Sequence, residues 1–299
     1  MMAFILALAA AFLGSIGIIA DSYLVRGKNP RAISSAQRLA WGCLLNAILL
    51  GAVLLVKTNE FWFKPIVATA FALLAVGILD GIYNYLYLKA MEKTAASGVN
   101  PIVSLSPIVT LVISTFLPGV VNVPMIFFIV LLIVPGIYLI TLNHDHVGNT
   151  RGIFSPFKSE TFKLSLIAAV STGVAAVIID RILENGYTSE LSLLFVRMLI
   201  IAVLTYTIFR PKFFPAQYRN GYWFFILVAV EMVYVVDRIM QTYAIGLGNV
   251  SLVVTIASTT PLFVVIFDAL FLKERITLNK LIGTALIVVG TIIAALQMI

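Results

Sequence analysis

The sequence predicts an all-α integral membrane protein, with ten transmembrane helices arranged as two inverted five-helix repeats. Three observations predict it. The first is composition: of 299 residues, 61% are apolar (AVILMFWYC) and 11% charged, with a mean hydropathy of +1.08. A soluble domain carries about 25% charged residues, so there is too little polar sequence here to cover a globule in water. The second is a series of apolar runs, each about the length a helix needs to cross the roughly 30 Å hydrocarbon core. The third is an internal repeat that includes polar residues within those runs.

The runs do not alternate with a period of two, which excludes barrel strands. Met2–Leu24 lacks a basic start and a small-residue cleavage site, so it reads as a retained first helix rather than a signal peptide. Ile33–Val56 follows and holds Arg38 and the single cysteine, Cys43, which excludes an intrachain disulfide. Pro65–Leu88 is the third span. Ser97–Leu117 is punctuated by Asn100-Pro101 and Ser106-Pro107, and Pro124–Leu142 closes the first half. The second half runs through Phe162–Leu183, Leu191–Phe209, Tyr222–Ile245, Ser251–Leu272 and Leu278–Met298. The expected division is residues 1–142 and 161–299 as the two repeats, joined by a polar linker at 143–160.

The net charge of +7 suggests a nucleic-acid partner until its location is considered. Fourteen of the 20 basic residues fall in the odd-numbered loops, such as Arg26, Lys28 and Arg31, or Lys273, Arg275 and Lys280. The positive-inside rule places those loops in the cytoplasm and both termini outside. No nucleic-acid partner is expected.

Gly14, Asp21, Gly27 and Arg38 recur as Gly173, Asp180, Gly186 and Arg197, all at one offset; Ser97, Ser104, Pro107 and Gly136 recur at a second offset as Ser251, Ser258, Pro261 and Gly290. Five spans per half force the halves into opposite orientations, the inverted arrangement in which transporters place a substrate site near the midplane.

The segment Ser251–Leu296, with Pro261 in mid-helix, Glu274 in the next loop and Gly283 and Gly290 on the last helix, resembles the C-terminal signature of the EamA-type drug/metabolite transporters. The step Tyr243-Ala244 is also similar. The first half departs from the pattern, with Val120 in the place of Glu274. The resemblance implies a ten-helix bundle and small metabolites as substrates: amino acids, nucleotide sugars or amines.

An ionisable residue at the bilayer centre costs about 2.5–3.5 kcal/mol on insertion scales, so it should face a cavity or a partner. Asp80, Tyr83, Asn84 and Tyr87 lie along one face of the third span. Glu231, Tyr234, Asp237, Arg238 and Gln241 occupy the corresponding face of the eighth. These nine are the candidate substrate-binding residues, facing one another across a central cavity. Asp21, Arg38, Asp180 and Arg197 are candidate ion pairs, Arg38 with Asp21 and Arg197 with Asp180, in a packing or a gating role. Asp268 is open between an arginine partner and a coupling proton. Pro107 and Pro261 are candidate hinges, and Gly283 with Gly290 marks a close-packing face, a candidate homodimer contact.

His144-Asp145-His146 has too few ligands for a zinc site, so neither a metal nor a cofactor is expected. There is no phosphate-binding loop or catalytic triad, which argues against an enzyme. The expected function is secondary transport of a small polar metabolite, an amino acid or amine, by alternating access. Its proton coupling would run through Asp80, Glu231 or Asp237. The alternative is a non-catalytic membrane subunit, or a lipid-handling flippase or enzyme of a lipid-processing complex, with membrane lipids as partners in either case.

Overall fold

The computed structural model describes residues 2–26, 32–64, 67–115, 123–141, 159–211, 221–247 and 259–296. Ser251 and Ser258, Val120, His144, Asp145, His146 and nearly all of the linker lie outside them.

The helices follow the apolar runs closely. They are α1 (Met2–Val25), α2 (Ser35–Val56), α3 (Val67–Lys93), α4 (Ala96–Val103), α5 (Ser106–Thr115), α6 (Val123–Thr141), α7 (Glu160–Glu184), α8 (Glu190–Phe209), α9 (Gly221–Leu247), α10 (Thr260–Leu272) and α11 (Leu278–Leu296). Five of them, α1, α2, α3, α7 and α8, are each long and apolar enough to cross a membrane on their own. α9 is 27 residues long but carries Glu231, Asp237 and Arg238.

Local chemistry sets the ends. Ser34 and Gln37 form a capping box at the start of α2, while Ser159 and Ser189 cap α7 and α8. Gly186, at φ +57°, stops α7, and the N–H of Tyr187 returns to the carbonyl of Ile182 at 3.0 Å. The loops between α2 and α3 and between α7 and α8 are stitched together: Lys64 N–H donates to the Tyr187 carbonyl at 2.8 Å and Thr188 Oγ1 to the Trp62 carbonyl at 2.9 Å.

The fourth span is broken, as its prolines predict. Pro107 has no N–H to return to the carbonyl of Val103, so α4 ends there and α5 restarts at Ser106. Pro261, the repeat counterpart of Pro107, likewise stands in the first turn of its helix, α10, where a missing N–H is free of cost; the residues immediately before Thr259 lie outside the described ones.

α1 packs against α9 and α3 against α7; α2 lies on α8, α4 on α10, and α6 on α11. The first helix of each half thus contacts the third helix of the other, and the equivalent helices pair with each other. This is the arrangement a two-fold axis imposes on two inverted five-helix repeats.

The glycine face of the last helix is spent inside the chain. A Cβ on Gly283 would lie 2.6 Å from the Gly136 carbonyl oxygen, and one on Gly136 would lie 2.8 Å from the Gly283 carbonyl oxygen. Gly290 is also buried. The surface that suggested a homodimer is therefore the α6–α11 contact. Backbone is the obstacle on both sides, so Gly283→Val should cost about 1–3 kcal/mol and lower the thermal midpoint in detergent. Leu281→Val, on the exposed side of α11, should leave that midpoint unchanged.

Among the described residues Asp268 is neither paired with an arginine nor part of the cavity lining. Its Oδ2 accepts from the N–H of Ser97 at 3.0 Å and from the Ser97 hydroxyl. Ala95, the residue before α4, has no side chain with which to cap it, so a carboxylate from α10 caps the helix instead. Asp268→Ala orphans a buried donor and should cost about 1–3 kcal/mol, read as a drop in thermal midpoint. Asp268→Asn keeps an acceptor and should recover most of it.

Candidate functional site

The polar residues of the core gather around one cavity of about 380 Å³. α9 supplies Glu231, Tyr234, Asp237, Arg238 and Gln241; α3 supplies Tyr83, Asn84 and Tyr87. The two stripes face one another with α1, α2 and the α4–α5 break completing the wall. Asp21 and Arg38 also line it.

Glycines bring α9 this close. A Cβ on Gly14 would lie 3.2 Å from Asp237 Oδ2, and one on Gly17 would lie 2.8 Å from the Tyr234 ring. On α2, a Cβ on Gly42 would lie 2.7 Å from Glu231 Oε1 and closer still to an Arg38 nitrogen. Three absent side chains on α1 and α2 thus make room for the polar face of α9.

Arg38 is buried and serves two carboxylates. Its Nε donates to Asp21 Oδ1 at 2.6 Å, and Nη1 pairs with Glu231 Oε1. Asn46 Nδ2 donates to the other oxygen of Glu231, and the Tyr234 hydroxyl donates to Asp21 Oδ2 at 2.9 Å. The expected Arg38–Asp21 pair is present, with Glu231 added to it. Exposure falls to 3% for Arg38, 7% for Asp21 and 1% for Glu231, so the cluster is buried at the cavity wall and held from three helices.

Its repeat counterpart differs from expectation. Arg197 pairs with Asp80, Nε to Oδ2 at 2.6 Å, and not with Asp180. Asp180 lies on the exposed side of α7 with no ion pair among the described residues. The reason is packing: α8 lies against α3, which places Arg197 on Asp80. Asp80 is buried in that pair and does not line the cavity, which corrects its place among the substrate-binding candidates.

Two charged groups in the cavity stand apart from these pairs. Among the described residues Asp237 is held by Gln241, whose Nε2 donates to Oδ1 at 2.9 Å. Arg238 makes no ion pair among the described residues, and its Nε is buried without a hydrogen-bond partner. Asn100 Nδ2, also on the cavity wall, is likewise unpartnered, while its Oδ1 accepts from the Tyr87 hydroxyl at 3.1 Å. Tyr83 and Tyr87 stack at 5.8 Å, presenting one aromatic face. Asn84 turns back to its own helix, donating to the Asp80 carbonyl at 2.7 Å. The side chains of Tyr243 and Pro107 lie outside the described residues.

The sequence reading missed Asn46 and the roles of Asn100, Gly17 and Gly42. Arg38, Gly42 and Asn46 fall at i, i+4 and i+8 on α2, the same spacing that found the stripes on α3 and α9, so the signal was present. The free cavity face can hold an acidic group on Arg238 and Asn100, a cationic group on Asp237, and an apolar or cationic surface on the tyrosines.

Residues 1–142 and 162–296 match the EamA-like transporter family. An uncharacterized transporter of Archaeoglobus fulgidus is 24% identical over 214 residues, covering 70% of each chain. An uncharacterized protein of Methanocaldococcus jannaschii is 36% identical over 63 residues, 21% of this chain; the match spans 46% of that relative's length. A solved structure known only as "Crystal structure of protein" superposes with a TM-score of 0.64 at 19% identity, covering 98% of this chain and 97% of that one; at that identity it speaks for the fold.

Proposed function

This chain belongs to the EamA-like transporter family, and from that premise we propose that it is a secondary transporter of a zwitterionic or cationic small metabolite, an amino acid or an amine. It works by alternating access around the cavity between its two repeats, joined at residues 143–160. It is a multi-pass membrane protein, and the proposal assigns it no enzymatic step. The basic odd-numbered loops favour a topology with both termini outside the cytoplasm.

The observation that carries the reading is the pair of uncommitted charges, Asp237 and Arg238, on one cavity wall. A nucleotide sugar would call for several free cations against its phosphates, whereas among the described residues the cavity offers Arg238 alone once Arg38 is committed to Asp21 and Glu231. A structural subunit would have no use for a buried donor without a partner, which costs stability. Those two facts favour transport of a small charged molecule over the scaffold and lipid-processing readings.

A ligand that binds the folded state raises its stability by about 2.7 kcal/mol at one hundred times its dissociation constant. The purified protein should therefore gain thermal stability from particular amino acids or amines, and this gain should be lost in Asp237→Asn. A panel of amino acids, amines and sugar nucleotides that leaves the midpoint unmoved, or stabilises Asp237→Asn equally, would sink the reading.

A further inference from the structure

Counting charge around the two repeat-related arginines gives unequal answers. Arg197 meets one carboxylate, Asp80, and the pair is neutral. Arg38 meets two, Asp21 and Glu231. The difference lies in the repeat: Gly77 stands where Glu231 stands in the other half, and the Ile200 side chain fills the space beside it. Fully ionised, the Arg38 cluster would carry one negative charge more than it can balance, within a membrane-embedded core. An unbalanced buried charge costs several kcal/mol, and the group neutralises instead.

The surroundings do not balance it. The groups that act electrostatically on Glu231 are Arg38 on α2, Asp21 on α1 and, on its own helix, Arg238. Cys43 on α2 also lies in its field. Asp21 faces Arg38 and the Tyr234 hydroxyl, with Tyr87 of α3 nearby. Among the described residues Arg238 is the one further cation acting on Glu231, and it makes no ion pair with either carboxylate.

We propose that Asp21, Arg38 and Glu231 form a proton-binding site in which the two carboxylates share one proton beside one guanidinium. Uptake converts one carboxylate to a carboxylic acid and takes the cluster from a net charge of −1 to neutral. Arg38 then needs to hold only the carboxylate that stays ionised, which loosens either α1 or α9 from α2. These helices also line the cavity, so the protonation state and the cavity wall are mechanically joined. As a coupling site, this rests on the transporter reading; as a proton site, it stands on the cluster's charge and geometry. It replaces Asp80 and Asp237 as the seat of coupling.

The test is infrared difference spectroscopy of the purified protein in lipid, following the high-frequency carbonyl band of a buried protonated carboxyl as pH is lowered. The band should titrate in the wild type and in Asp237→Asn. It should disappear in Asp21→Asn and equally in Glu231→Gln, because removing either carboxylate leaves a neutral pair with no need of a proton. Both replacements are near-isosteric and keep an acceptor for Arg38, and circular dichroism checks that they fold. No titrating band in the wild type, a band that survives either replacement, or one that vanishes in Asp237→Asn overturns the proposal. None of those outcomes touches the ligand-binding test, so the two readings fail separately.

Discussion

Arg38→Met should destabilise the protein by about 3–5 kcal/mol, the cost of leaving buried carboxylates without their counter-ion, and most of the expressed protein should fail to reach a monodisperse peak in detergent. Methionine fills much the same volume, so the loss is electrostatic and not a cavity effect. Arg38 holds Asp21 and Glu231 at once, and its removal strands both. Adding Asp21→Asn and Glu231→Gln to Arg38→Met should recover much of the loss, since a buried ion cluster can be replaced by neutral groups at little net cost. Equal instability of the single and triple variants would mean that shape, not charge, holds the three helices. Gly42→Ala attacks the same cluster sterically, because its new Cβ would meet both Arg38 and Glu231. It should fall between the wild type and Arg38→Met.

Most of the architecture was legible because lipid leaves a chain few options. Every backbone polar group must be satisfied internally, so the apolar runs had to become helices, and their ends were fixed by residues such as Ser34, Ser159 and Gly186. The broken fourth span followed from Pro107 lacking a donor. The polar faces of α3 and α9 were visible as spacing on a helix, and the odd number of spans per half fixed how those faces meet. Pairing was less legible. Arg197 and Asp180 occupy positions matched by Arg38 and Asp21, and an exact two-fold would have paired them alike. The repeats have diverged at the contact residues, Glu231 against Gly77 and Tyr234 against Asp80, and those substitutions decide which carboxylate each arginine meets. Asp268 escaped for a related reason: its partner is the N-terminus of α4, on another span, which no single span reveals. The glycines at 14, 17 and 42 became meaningful only once α9 was seen pressed against them.

Arg238 and Asp237 offer the sharpest test of what the cavity recognises, because each should govern a different part of the ligand. A desolvated charge pair lost from one side typically costs about 2–5 kcal/mol, and 1.4 kcal/mol is tenfold in affinity. Arg238→Met should therefore weaken binding of an amino acid by roughly 30-fold to a few thousand-fold, measured calorimetrically or by thermal shift. It should leave an amine without a carboxylate bound as before, or more tightly, once the like charge of the guanidinium is gone. Asp237→Asn should weaken both, since each carries the ammonium that Asp237 would hold. Asn100→Ala should act only on the carboxylate-bearing ligand, and by less, because one neutral donor contributes about 0.5–1.5 kcal/mol. Equal losses for amine and amino acid in Arg238→Met would show that the guanidinium positions α9 and does not touch the ligand. Arg238 would then join Arg38 and Arg197 as a residue that holds helices, and the negative charge of Asp237 alone would leave a cavity suited to cations.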